Sequence, residues 1–111
     1  MRKILIIEDD KNRINQFKKN FKNVNITFTN TVKGTIDILS KNKKFDIIFF
    51  DHDLGDGGDS VNIAKWLSQH TDKLPKNVYV HSANPVGANN IIGYIKYARK
   101  IPMVWKKEIQ F

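Results

Sequence analysis

The chain contains no cysteine, which excludes a disulfide framework and thiolate metal sites and fits a reducing compartment. Long apolar runs are also missing, so nothing in it is expected to span a membrane. The first residues, Met1-Arg2-Lys3-Ile4, enter an apolar strand that stops at Glu8 without the cleavage pattern of a signal peptide. Repeats, long linkers and low-complexity segments are absent as well. With 111 residues the chain is long enough for one core and too short for two. These absences leave a single soluble domain, 1–111, expected in the cytoplasm.

Acidic residues are scarce: eleven against nineteen Lys and Arg, for a formal charge of +8. Their distribution says more than their number. Seven of the eleven (Glu8, Asp9, Asp10, Asp51, Asp53, Asp56 and Asp59) fall in two short segments. If those segments meet, the protein is an acidic pocket in a basic body. The pocket suits a divalent cation and the body draws in polyanions, a solvated lysine surface being the plainer alternative.

What is present is a regular alternation of strand and helix. Residues 3–8, "KILIIE", read as a strand buried on both faces. Ile14, Phe17 and Phe21 follow at helical spacing, then Val24, Ile26 and Phe28 alternate as a wetter strand. Val32, Ile36 and Leu39 mark a second helix. A second apolar strand, "FDIIFFD" (45–51), precedes a helix capped by Asp59 or Ser60 and carrying Ile63, Ala64 and Leu67. "VYVHS" (78–82) is the fourth strand. Asn84-Pro85 starts a helix whose stripe runs through Ala88, Ile91, Ile92, Ile95 and Ala98. "PMVW" (102–105) is the expected fifth strand, with six residues after it.

This order predicts an α/β fold, a five-stranded parallel doubly wound sheet with helices on both faces. In such sheets ligands bind beyond the carboxyl ends of the central strands. That edge collects Glu8-Asp9-Asp10, Asp51-His52-Asp53, His81-Ser82 and Lys106. It holds two of the three histidines; His70, beside Thr71 and Asp72, reads as a surface residue. Converging carboxylates repel unless a cation lies among them, and oxygen donors favour Mg²⁺, with Mn²⁺ as the other candidate. Histidine as a residue type suits proton transfer, so His52 and His81 could share the base and acid roles, although strand alternation can turn either aside. Asn84-Pro85-Val86-Gly87 offers free N–H groups to an anion, or is an ordinary cap. Gly55, Gly57 and Gly58 would let the following loop fold over a ligand, or merely connect.

The sequence resembles a receiver domain, the phosphoacceptor module of two-component signalling. The acidic cluster after strand one, Asp51 ending strand three, Ser82 ending strand four and Lys106 after strand five match that pattern in order. The resemblance implies a receiver (flavodoxin-like) fold in which Asp9, Asp10 and Asp51 hold the metal, assisted by the backbone carbonyl of Asp53. Ser82 and Lys106 would contact a phosphoryl group. Gly55 after Leu54 and Lys107 after Lys106 depart from the pattern, and the short tail "KKEIQF" leaves the last helix truncated or missing. "DHDLG" (51–55) with "HSANPVGANN" (81–90) is similar to the cyclic-phosphate-processing receiver domains. That resemblance implies a metal-dependent phosphoesterase acting on a nucleotide or RNA end that carries a cyclic phosphate. Its expected catalytic residues are Asp51, His52, Asp53 and His81, and its phosphate ligands Ser82, Asn84, Gly87 and Lys106. A single-domain receiver phosphorylated on Asp51 and a nucleotide-sequestering protein without turnover are the alternatives. Sequence-specific DNA reading is not expected, since no recognition helix or aromatic-basic motif is present.

Overall fold

The computed structural model describes residues 2–81 and 84–101. Five strands form one parallel sheet in the order β2-β1-β3-β4-β5: β1 Lys3–Ile7, β2 Asn25–Thr29, β3 Ile47–Phe50, β4 Asn77–Val80 and β5 Arg99–Lys100. Four helices connect them: α1 Lys11–Asn20, α2 Val32–Lys41, α3 Val61–Gln69 and α4 Pro85–Tyr94. The alternation of apolar segments with turn chemistry dictates this order, because a parallel pair needs a crossover helix. Asp10, Thr31 and Asn84 each turn a side-chain oxygen to a first-turn N–H, so α1, α2 and α4 start at satisfied caps.

Alternation along the strands divides the core into two layers. Ile4, Ile6, Ile47 and Phe49 face α1, where Phe17 and Phe21 close over them. Leu5, Ile7, Ile48, Phe50, Val78 and Val80 face the other side, under Leu39, Ile63, Ala64, Leu67 and Ile91 from α2, α3 and α4. The sheet is thus doubly wound, with α1 alone on one face among the described residues.

Two boundaries differ from the sequence expectation. The stripe through Ile95 and Ala98 does not extend α4, which ends at Tyr94. Ile95 leaves the helical region and the Ala98 N–H donates to its carbonyl at 3.0 Å, forming a turn. Both side chains stay buried, in the core layer that holds Val78, Val80 and Ile91. Arg99 and Lys100 then pair with Tyr79 and Val80, so β5 starts before the expected 102–105, which lies outside the described residues. Lys106 and the tail after it lie outside them too, as does Ser82.

Candidate functional site

Hydrogen bonding continues one residue past the strands at the carboxyl edge. Glu8 N–H donates to Thr29 O at 2.9 Å, Asp51 N–H to Ile7 O at 3.0 Å and His81 N–H to Phe50 O at 2.9 Å. Since Ile7, Phe50 and Val80 are register partners, the next residues, Glu8, Asp51 and His81, form a row across three strands. Two-residue periodicity turns all three towards the α1 layer, with Ile6, Phe49 and Tyr79. The apolar run before Asp51 therefore delivers a carboxylate into a row with a second carboxylate and an imidazole.

All three are buried: Glu8 is 0% exposed, His81 3% and Asp51 5%. Glu8 is saturated with donors. Its Oε2 accepts from the N–H groups of Asp9 (3.0 Å) and Asp10 (3.1 Å). Its Oε1 meets His81 Nε2 at 3.0 Å and Arg13 Nη1 at 3.5 Å. The same Arg13 nitrogen lies 3.4 Å from Asp51 Oδ2.

Burial alone would push the Glu8 carboxyl up, but hydrogen bonds from His81 and Asp51 and the neighbouring backbone outweigh it and hold it low. Asp51 moves the other way, to about 8, through burial and the adjacent Glu8, against the attraction of Arg13. Burial also pulls His81 down, more than Glu8 raises it. His81 is accordingly neutral and donates its Nε2–H to Glu8, leaving Nδ1 buried with no partner among the described residues.

Above this row opens a cavity of about 570 Å³ lined by Asp9, Asp10, Lys11, Arg13, Asp51, Asp53 and Asn84. Glu8, Asp9 and Asp51 each place a carboxylate oxygen within 4.8 Å of the others. This all-oxygen donor set fits a divalent cation, and two carboxylates forced to share protons at the cavity floor gain from one. The expected metal set was Asp9, Asp10 and Asp51. Asp10 instead caps α1, its Oδ1 accepting from Arg13 N–H at 3.1 Å, and Glu8 takes its place in the cluster. The reason is that Glu8, one residue past β1, still follows the sheet's hydrogen bonding, while Asp10 is the last residue before the helix.

The two histidines occupy different layers. His81 packs edge-on against Phe17, ring centres 5.2 Å apart, and is not among the residues lining the cavity. His52 points to the opposite side, as strand alternation requires, where its Nε2 lies 3.2 Å from Asp59 Oδ1. Its ring fills the space beside Gly87: a Cβ there would come within 2.2 Å of His52 Cγ. Gly87 thus serves close packing, and its N–H is already taken by Asn84 Oδ1 at 3.2 Å. Gly87→Ala should force the imidazole or α4 aside and cost about 1–3 kcal/mol, read from urea unfolding. An unchanged midpoint would show that the ring has room to move.

The glycine loop is fastened rather than free. Leu54 is buried and its N–H donates to Gly58 O at 3.1 Å; Asp53 bridges to Asp59. A Cβ on Gly57 would meet Asn30 O at 2.2 Å, so the loop packs on the start of α2. The Ser60 hydroxyl donates to the carbonyls of Asp51 and His52, closing the segment. Asp53 stays at the cavity, with Oδ1 accepting from Gly55 N–H at 2.8 Å. His70 is a surface residue, stacked on Trp66 at 4.0 Å.

A family model for the cyclic-phosphate processing receiver domain matches residues 3–97. The chain belongs to this family. Solved structures similar to this receiver domain are themselves receivers. One is the signal receiver domain of a putative Luxo repressor protein from Vibrio parahaemolyticus, with TM-score 0.72 and 18% identity over 99% of this chain and 82% of that one. The response regulatory domain of mrkE from Klebsiella pneumoniae gives 0.72 and 20% over 97% and 84%. A CheY-like receiver domain from Methylobacillus flagellatus gives 0.71 and 15% over 99% and 89%. At these identities the likeness establishes the receiver fold. No curated protein matches the chain. No helix among the described residues is long and apolar enough to cross a membrane.

Sequence reasoning missed Glu8 as a ligand and Arg13 altogether. The signal for Glu8 was its parity with Ile4 and Ile6; for Arg13 it was its place on the first turn after an Asp10 cap, facing the same edge.

Proposed function

We propose that this receiver domain is a metal-dependent phosphoesterase that opens a cyclic phosphate on a nucleotide or an RNA end, in the cytoplasm. The observation that carries this reading is the juxtaposition of three carboxylates within 4.8 Å with Arg13, Lys11 and the Asn84 cap around one open cavity. A divalent cation, Mg²⁺ first and Mn²⁺ second, would be held by Glu8, Asp9 and Asp51 and would polarise the phosphoryl group and acidify a water. Arg13 and Lys11 offset the charge on the phosphoryl oxygens, and Asn84 stands at the start of α4 on the cavity wall. Asp53, the rim carboxylate, takes the proton of the attacking water as the new P–O bond forms. The ring P–O bond breaks, and the released oxygen is protonated from Lys11. His81 acts through Glu8, and His52 holds the start of α4 by packing on Gly87. Ser82 and Lys106, outside the described residues, are further phosphate ligands of this proposal, on the receiver resemblance alone.

The test is turnover of 2′,3′-cyclic and 3′,5′-cyclic nucleotides with Mg²⁺ or Mn²⁺, followed by ³¹P NMR. Metal-dependent conversion of either to a monoester, lost in Asp51→Asn, supports the proposal and names the bond. The receiver fold, with Asp51 at the end of β3, favours a second reading: phosphoryl transfer to Asp51. Modification by acetyl phosphate without turnover would establish that one. Tight nucleotide binding with neither reaction would make the protein a sequestering module.

A further inference from the structure

We propose that Arg13 is a displaceable counter-ion: its guanidinium and the metal compete for Glu8 and Asp51, and metal entry releases Arg13 to bind the phosphate. This inference rests on the metal reading of the site and adds a rule for its loading.

The argument is one of hydrogen-bond capacity. A carboxylate has about four lone-pair positions. Those of Glu8 face Asp9 N–H, Asp10 N–H, His81 Nε2 and Arg13 Nη1, and Asp51 adds a proton shared between the two carboxyls. A cation that binds Glu8 takes the place of that proton and, with the four positions already full, must also displace one of the four donors. Two donors are backbone groups fixed by the turn into α1. The third is an imidazole buried against Phe17 at 3.0 Å from its acceptor. Arg13 alone is free to move: its side chain is 32% exposed, and its two contacts, at 3.4 and 3.5 Å, are the longest of the set. It is also the donor that Asp51 and Glu8 share, so a cation taking its place gains both carboxylates at once.

Release does not carry Arg13 out of the site. Its residue lines the cavity with Lys11 and Asn84 and is tethered one turn into α1. A guanidinium driven from the floor by a cation faces the space where a phosphoryl group would lie, and its planar fork suits two phosphoryl oxygens. Metal and phosphate therefore bind with positive coupling through one side chain, and the coupling must be reciprocal.

Mn²⁺ binding to the full chain, followed by electron paramagnetic resonance of the free ion, tests this with Arg13→Gln, Arg13→Lys and Asp51→Asn. Arg13→Gln should bind Mn²⁺ about tenfold tighter than the natural chain, within the usual range of a coupling between sites. Inorganic phosphate, titrated with and without Mn²⁺, should bind tighter with the metal in the natural chain, and that enhancement should vanish in Arg13→Gln. A residue that merely supported the fold would not tighten metal binding on removal. Arg13→Lys, which keeps the charge without the fork, should fall between the two and serves if Arg13→Gln folds poorly. Unchanged or weaker Mn²⁺ binding in the substituted chains would overturn the proposal while leaving the metal site intact. If the natural chain binds no Mn²⁺, or Asp51→Asn binds it equally well, the metal reading fails and this inference with it.

Discussion

Asp51→Asn should abolish metal-dependent turnover and the stabilisation by Mn²⁺, yet raise the melting temperature of the protein kept in a chelator at pH 8. The substitution keeps the shape and removes a carboxylate that burial and Glu8 hold up at about 8. A folded pKa raised above the ordinary 3.8 contributes stability that is complete below about pH 4 and is lost as the pH rises through 8. His81 opposes this in part. Its folded pKa lies below 6.5, so the unfolded chain binds more protons there and stability rises with pH up to about 6.5. Glu8, held low, loses its contribution only in strong acid and stays outside this window. The clean interval is therefore pH 6.5 to 8. Across it the chelated natural protein should lose on the order of 1 kcal/mol per pH unit, and Asp51→Asn should not. For a domain of this size each such step moves the melting temperature by about 4–8 °C. Saturating Mn²⁺ should remove the decline, because a bound cation replaces the proton. A melting temperature that stays level from pH 6.5 to 8 in chelator would show that Asp51 does not titrate there.

The second large effect belongs to His81. His81→Ala should destabilise the protein by about 3–5 kcal/mol, the range for breaking a buried charged hydrogen-bond pair from one side. It removes a donor from a carboxylate that has no water contact, and it leaves a hole beside Phe17 and Phe49. Glu8 would then lose its alignment towards Asp9 and Asp51, so Mn²⁺ affinity should drop with stability. His81→Gln can return an N–H to Glu8 and should recover part of both. Urea unfolding and Mn²⁺ titration on the three proteins separate the roles. Recovery of metal binding in His81→Gln without any recovery of turnover would mean that the imidazole handles a proton of the reaction, contrary to its place behind Glu8. Normal stability in His81→Ala would remove it from the core altogether.

Both predictions turn on which side of the sheet a side chain occupies, and that was partly legible in advance. The alternation rule flagged that His52 and Asp51 would part company, and the structure sends them to opposite layers. Applied along β1 and β3, the same rule groups Glu8 with Ile4 and Ile6, and Asp51 with Ile47 and Phe49. The three consecutive acids at the end of β1 looked equivalent as letters. Their different fates, strand end, cavity wall and helix cap, come from where the sheet bonding stops and α1 begins. Gly87 illustrates the opposite limit. A glycine one turn into a helix suggests an open anion site when read locally, whereas its reason is an imidazole arriving from a residue thirty-five positions earlier.

The sequence by itself determined the order of elements, the parallel doubly wound sheet and the edge at which the chemistry gathers, because periodicity, caps and crossover length are local properties. It also carried the family, through "DHDLG" and "HSANPVG". Only the tertiary structure decided that Glu8 and not Asp10 completes the carboxylate cluster, that Arg13 bridges it, and that His81 stands behind it. It also fixed the start of β5 at Arg99, through pairing with Tyr79. The physical reason is common to all of these. They depend on the register between strands distant in the chain and on the finite number of donors one buried carboxylate can accept, and neither quantity exists until the sheet is assembled.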